Sequence, residues 1–97
     1  MKAQMFNYNQ WVPETCPDIL KKTYTEMLEK AGFNIITMAE HYFEPQGYTA
    51  LFLLAESHLA IHTFPEENKS YVELSSCVKK QFDYFLELLA HERGEID

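Results

Sequence analysis

Apolar and polar positions alternate in blocks along this chain, and the period of the alternation changes from block to block. Residues 3–11 are aromatic-rich and partly alternating, which predicts a first strand. Thr15-Cys16-Pro17-Asp18 then reads as a helix start, with a hydroxyl cap, proline in the first turn and an acid three residues after the cap. Ile19, Thr23, Met27 and Ala31, flanked by Leu20, Tyr24 and Leu28, form one stripe at helical spacing, and Gly32 ends it. Phe33 to Phe43 and Tyr48 to Ala55 predict two strands joined by a turn at Pro45-Gln46-Gly47. Leu59 to Phe64 and Tyr71 to Ser76 predict two more across the polar loop 65–70, and Val78, Phe82, Phe85, Leu86 and Leu89 mark a last helix fading near Gly94.

The order strand, helix, several antiparallel strands, helix predicts an α+β two-layer sandwich with both helices on one face of an antiparallel sheet. Tyr48 to Ala55 holds too few polar residues for one side of that strand to face water. An apolar opposite face calls for a cover, and stacking of sheets in a homodimer supplies one.

A length of 97 residues allows one domain. Such a chain buries only about 60–65% of its unfolded surface, so a dimer interface adds useful stability. The net charge of −7 argues against nucleic acid and against a polybasic membrane patch, and mildly favours cationic ligands. The opening Met1-Lys2-Ala3-Gln4-Met5-Phe6 lacks the apolar run of a signal peptide, and no stretch approaches a membrane span, so a cytoplasmic location is expected. Cys16 and Cys77 have no metal-ligand spacing; reduced thiols and no bound metal are expected.

The densest chemistry lies in Leu54-Ala55-Glu56-Ser57-His58-Leu59-Ala60-Ile61-His62-Thr63-Phe64-Pro65-Glu66, where polar groups interrupt strands that should be apolar. Ser57 follows a glutamate, His62 comes five residues later and Cys77 twenty. These are the groups a chain needs to cut itself: a hydroxyl to attack the preceding carbonyl, a donor for the oxyanion and a base near neutral pH. β-Elimination at residue 57 then leaves a pyruvoyl group at the new amino terminus.

That run, with His41-Tyr42-Phe43-Glu44-Pro45-Gln46-Gly47-Tyr48-Thr49 before it and Tyr71-Val72-Glu73-Leu74-Ser75-Ser76-Cys77 after it, closely resembles the small bacterial and archaeal S-adenosylmethionine decarboxylases across residues 32–77. The resemblance implies a proenzyme cleaved between Glu56 and Ser57 into a β chain (1–56) and an α chain (57–97), paired in a dimer with sites near the interface. It implies that Ser57 becomes the pyruvoyl group and forms the Schiff base with substrate, that His62 drives elimination, and that Thr49 supports processing where the family usually has serine. It implies that Cys77 returns a proton to the substrate α-carbon, that Phe43 stacks on adenine and that Glu66 holds the ribose. The implied activity is decarboxylation of S-adenosylmethionine for spermidine synthesis, with no metal.

Several positions depart from the family pattern. Val78 follows Cys77 in place of glycine, Phe64 replaces a tryptophan, residues 6–11 carry no acid, and relatives usually continue into another strand where Arg93-Gly94-Glu95-Ile96-Asp97 stands. These departures keep open a pyruvoyl-dependent decarboxylase of arginine or ornithine; a non-catalytic homologue that regulates or binds is a separate alternative.

Overall fold

The computed structural model of the chain describes residues 3–92. Its elements run β1 (Phe6–Val12), α1 (Pro17–Lys30), β2 (Ile35–Tyr42), β3 (Tyr48–Leu54), β4 (Ser57–Phe64), a 3-10 turn (Pro65–Glu67), β5 (Lys69–Ser76) and α2 (Lys79–Glu92). The strands form one antiparallel sheet in the order β1-β5-β4-β3-β2, so the expected α+β architecture is present. Residues 93–97, including Gly94, where the last helix was expected to fade, lie outside the described residues.

Geometry explains the topology. Helix α1 links the two edge strands of the sheet, so it must cross the whole sheet. Fourteen residues of helix span about 21 Å, and four strand spacings come to about 19 Å. The helix stops where it must because Gly32 adopts φ +95. There the N–H of Phe33 donates to the Leu28 carbonyl and that of Gly32 to the Glu29 carbonyl, the paired bonds of a Schellman motif.

Two details of the helix differ from expectation. The N-cap is Cys16 rather than Thr15, and its side chain makes no capping bond. Instead the Glu14 carboxylate accepts hydrogen bonds from the N–H groups of Thr15 and Cys16, which satisfies the chain entering the helix. Ile19 is half exposed, and the buried face is Leu20, Tyr24, Met27 and Leu28, one residue round from the centre of the expected stripe. On that face Tyr24 packs against Phe85 of α2.

The core lies between the helices and one face of the sheet. Ala50, Phe52 and Leu54 of β3, Leu59 and Ile61 of β4, and Val72 and Leu74 of β5 all point into it. The other face is open: Leu51 and Leu53 are each 50% exposed. Across the open face the register sets Trp11, Tyr71, His62, Thr49 and His41 in one row, and Asn7, Ser75, His58, Leu53 and Thr37 in another. Among the described residues no helix is long and apolar enough to cross a membrane.

Candidate active site

Leu54 pairs with Ser57, so only Ala55 and Glu56 connect β3 to β4. Two-residue hairpins need positive φ at one or both central residues, which glycine or asparagine usually provides. Here Glu56 takes the left-handed conformation, at φ 59, directly before the Glu56–Ser57 peptide bond. A side chain with a Cβ is strained there, and the strain sits at the bond the sequence marks for cleavage.

Ser57 shares the inward face of β4 with Leu59 and Ile61 and is 6% exposed. Its hydroxyl donates to the Ser76 hydroxyl at 2.8 Å. Ser76 lies directly opposite in the register, is fully buried, and also accepts from the Val78 N–H at 3.0 Å. Next along the chain, the Cys77 thiol donates to the Glu56 carbonyl oxygen at 3.4 Å. A nucleophilic hydroxyl, the adjoining carbonyl and a donor on that carbonyl's oxygen thus meet at one end of the sheet. Such a set can stabilise a tetrahedral oxyanion.

His62 and Thr49 meet elsewhere. They face each other across β3 and β4 on the open side of the sheet, with Thr49 Oγ1 and His62 Nδ1 3.0 Å apart. If Nδ1 carries the proton and donates to Thr49, Nε2 is left free as a base. The Tyr71 ring stacks on the imidazole at 6.4 Å between centroids. Burial, and then the Glu73 carboxylate, push the Tyr71 hydroxyl above the ordinary tyrosine value. Phe43 stands at the same end of the sheet, half exposed, its ring 4.5 Å from that of His41. Glu66 is exposed on the 3-10 turn, also at this end.

The expected residues therefore form two groups. Glu56, Ser57 and Cys77 gather at the β3–β4 hairpin; Phe43, Thr49, His62 and Glu66 lie toward the opposite end. Within one chain His62 does not meet Ser57. Five strand residues separate them by about 16 Å, and an odd separation puts their side chains on opposite faces. Between the groups an apolar groove on the open face is lined by Thr37, Ala39, Leu51, Leu53 and His58. Sequence reasoning passed over Ser76 and Tyr71. Ser76 had a legible signal: it continues the inward period of Val72 and Leu74, so a polar group there needs a buried partner. Among the described residues no group of three or more His, Cys, Asp or Glu side chains is arranged to hold a metal ion.

Fold and site together define a two-layer α+β domain with a serine and thiol cluster at a strained hairpin. Residues 13–96 match the sequence profile described as S-adenosylmethionine decarboxylase, and the chain belongs to that family. It is 42% identical over 76 residues to an S-adenosylmethionine decarboxylase proenzyme of Prochlorococcus marinus, covering 77% of this chain and 61% of that protein. It is 34% identical over 82 residues to one of Geobacillus kaustophilus, covering 80% of this chain and 66% of that protein. The chain thus spans about three fifths to two thirds of the length of these curated relatives. The crystal structure of the adenosylmethionine decarboxylase from Aquifex aeolicus has the same fold, with a TM-score of 0.67 over 90% of this chain and 81% of that one, at 21% identity.

Proposed function

We propose that this chain is the proenzyme of a pyruvoyl-dependent S-adenosylmethionine decarboxylase that cleaves itself between Glu56 and Ser57, and that each active site combines two copies of the chain. The observation that carries the first half is the Cys77 thiol on the Glu56 carbonyl, beside the Ser57 hydroxyl and a left-handed residue 56. Ser57 Oγ attacks that carbonyl carbon. The new C–O bond replaces the C–N bond, and the hydroxyl proton passes to the departing amine. Cys77 holds the oxyanion as it develops. A base next removes the Ser57 Cα proton and the Cβ–O bond breaks, which frees residues 1–56 with a Glu56 carboxylate. Tautomerisation of the resulting dehydroalanine and hydrolysis with loss of ammonia complete the α chain, 57–97.

The offset of His62 from Ser57 along one strand supports the second half; the base it must supply acts on the Ser57 backbone Cα, not on the inward-facing hydroxyl. A two-fold axis that reverses strand direction brings the His62 end of one open face over the Ser57 end of another. Exposed Leu51 and Leu53 then lie between the sheets instead of in water. His62, oriented by Thr49, is the elimination base for its partner. Phe43 and Glu66 accompany it and read the adenosyl group.

The pyruvoyl group supplies an electron sink for the carboxyl bond that breaks in the substrate. Cys77, already beside the carbon chain at this point, delivers the proton to the substrate α-carbon. The product is the aminopropyl donor for spermidine synthesis.

Complementation tests the whole reading, with intact mass as readout. Ser57→Ala and His62→Ala chains each stay uncut when expressed alone. Co-expressed, they form mixed dimers with one complete site, and random pairing yields cleavage of about half the His62→Ala chains and none of the Ser57→Ala chains. Normal cleavage of His62→Ala alone refutes the shared site. A wild-type chain that stays whole refutes the proenzyme reading and favours a non-catalytic homologue.

A further inference from the structure

We infer that Ser76 is the residue that positions the Ser57 hydroxyl for its attack, an assignment that rests on the self-cleavage reading above. Ser57 and Ser76 are direct partners across β4 and β5, so the strand that ends at Ser76 brings its last inward side chain onto the nucleophile. One residue further, Cys77 reaches the carbonyl that the nucleophile attacks. Consecutive residues of one strand end thus hold the two reacting groups, Ser76 the attacking oxygen and Cys77 the carbonyl oxygen.

A serine hydroxyl has three staggered positions about χ1, and free rotation spreads it over all of them. Bonding to Ser76 at 2.8 Å confines Ser57 Oγ to one of them. It also directs the hydroxyl hydrogen toward Ser76 and leaves the oxygen lone pairs of Ser57 uncommitted to that bond. Ser76 itself is held firmly. It is fully buried, and the Val78 N–H donates to its oxygen at 3.0 Å.

The same count of bonds decides what Ser76 cannot do. A hydroxyl oxygen has two lone pairs. Ser57 O–H occupies one and Val78 N–H the other. With both taken, Ser76 has no site for a proton and is no general base. The Ser57 proton goes to the departing amine, and Ser76 acts on the step through Ser57 alone, before the ester exists.

That timing separates positioning from a structural role. The bond to Val78 closes a short turn ahead of α2, and its loss lowers stability without selecting any step of the reaction. Loss of the bond to Ser57 slows ester formation specifically. The experiment compares full-length Ser76→Ala, Ser76→Thr and Ser76→Val with wild type, with and without hydroxylamine, which cleaves esters but spares peptide bonds. Cleavage is followed by intact mass, and cooperative thermal melting is checked for each chain. Thr and Val have the same shape, so that pair isolates the hydroxyl even if the alanine chain does not fold. Ser76→Thr is expected to cleave, while the Ala and Val chains slow by about 10- to 100-fold. Hydroxylamine is expected not to speed them, because no ester accumulates. A folded Ala or Val chain that cleaves at the wild-type rate overturns the assignment, and so does one that builds up ester which hydroxylamine releases. If wild type itself never cleaves, the self-cleavage reading falls and takes this one with it.

Discussion

Replacing Glu56 with glycine should make the uncut chain more stable, although Glu56 lies at the centre of the proposed chemistry. The residue sits at φ 59 in a two-residue connection, and its side chain is exposed. A left-handed conformation costs an L-residue about 1–2 kcal/mol, because Cβ crowds the following carbonyl oxygen. Glycine escapes that cost but gives up roughly 0.5–1 kcal/mol through the greater freedom of its unfolded chain. The balance favours glycine by about 0.5–1 kcal/mol, worth roughly 2–8 °C in melting temperature for a domain of this size. The comparison belongs in a Ser57→Ala background, where neither chain can be cut, at one fixed protein concentration so that association does not shift the midpoint. Asparagine at 56 should fall between the two, since it tolerates the left-handed region better than glutamate. With Ser57 restored, Glu56→Gly should slow self-cleavage by up to about tenfold, because breaking the bond no longer relieves strain. An unchanged or lower melting temperature in the glycine chain refutes the claim that residue 56 is strained. A gain in stability with unchanged cleavage refutes the claim that strain helps drive the reaction.

Three further expectations follow from other parts of the fold. The Tyr48 hydroxyl, and then Lys21, hold the Glu40 carboxyl below its ordinary value of 4.5, so its contribution to stability is present above that value and lost as pH falls through the lower folded value. Tyr48→Phe should therefore raise the Glu40 midpoint, read from its carboxyl carbon by NMR; an unmoved midpoint sinks this account. Leu59→Ala, in the Ser57→Ala background, should cost about 2–5 kcal/mol in urea unfolding, because Leu59 is fully buried in the core; a loss below 1 kcal/mol contradicts that placement. Leu51→Lys should leave the fold intact but make the chain monomeric in sedimentation and abolish cleavage, whereas a cleaving dimer would show that the open face is not the interface.

The amino-acid sequence by itself determined the order and type of the elements, because helical spacing in Leu20, Tyr24 and Leu28 differs from the short apolar runs of the strands. It did not determine which side of β3 is buried: Leu51 and Leu53 are as apolar as Phe52 and Leu54, and only the packed helices decide between them. Gly32 announced the end of α1 because only glycine adopts φ +95 without strain. The opposed faces of Ser57 and His62 were not legible, because the predicted strand began at Leu59 and only the structure extends β4 back to Ser57. Thr15 misled as a cap because a hydroxyl at a helix entrance is only a preference, and Glu14 offers the backbone a better acceptor.

Only the tertiary structure decided which distant groups meet. Nothing local tells Cys77 that it will reach the Glu56 carbonyl, or Ser76 that it will hold Ser57. Those contacts depend on the register of β5 against β4, and a shift of one residue would turn Ser76 out of the core and carry Cys77 off the carbonyl. Register is set by how Leu59 and Ile61 pack beside Val72 and Leu74 under the helices, a property of the assembled core that no single segment contains. The residue types for the chemistry are written along the chain, and the packing of the sheet brings them within reach of one another.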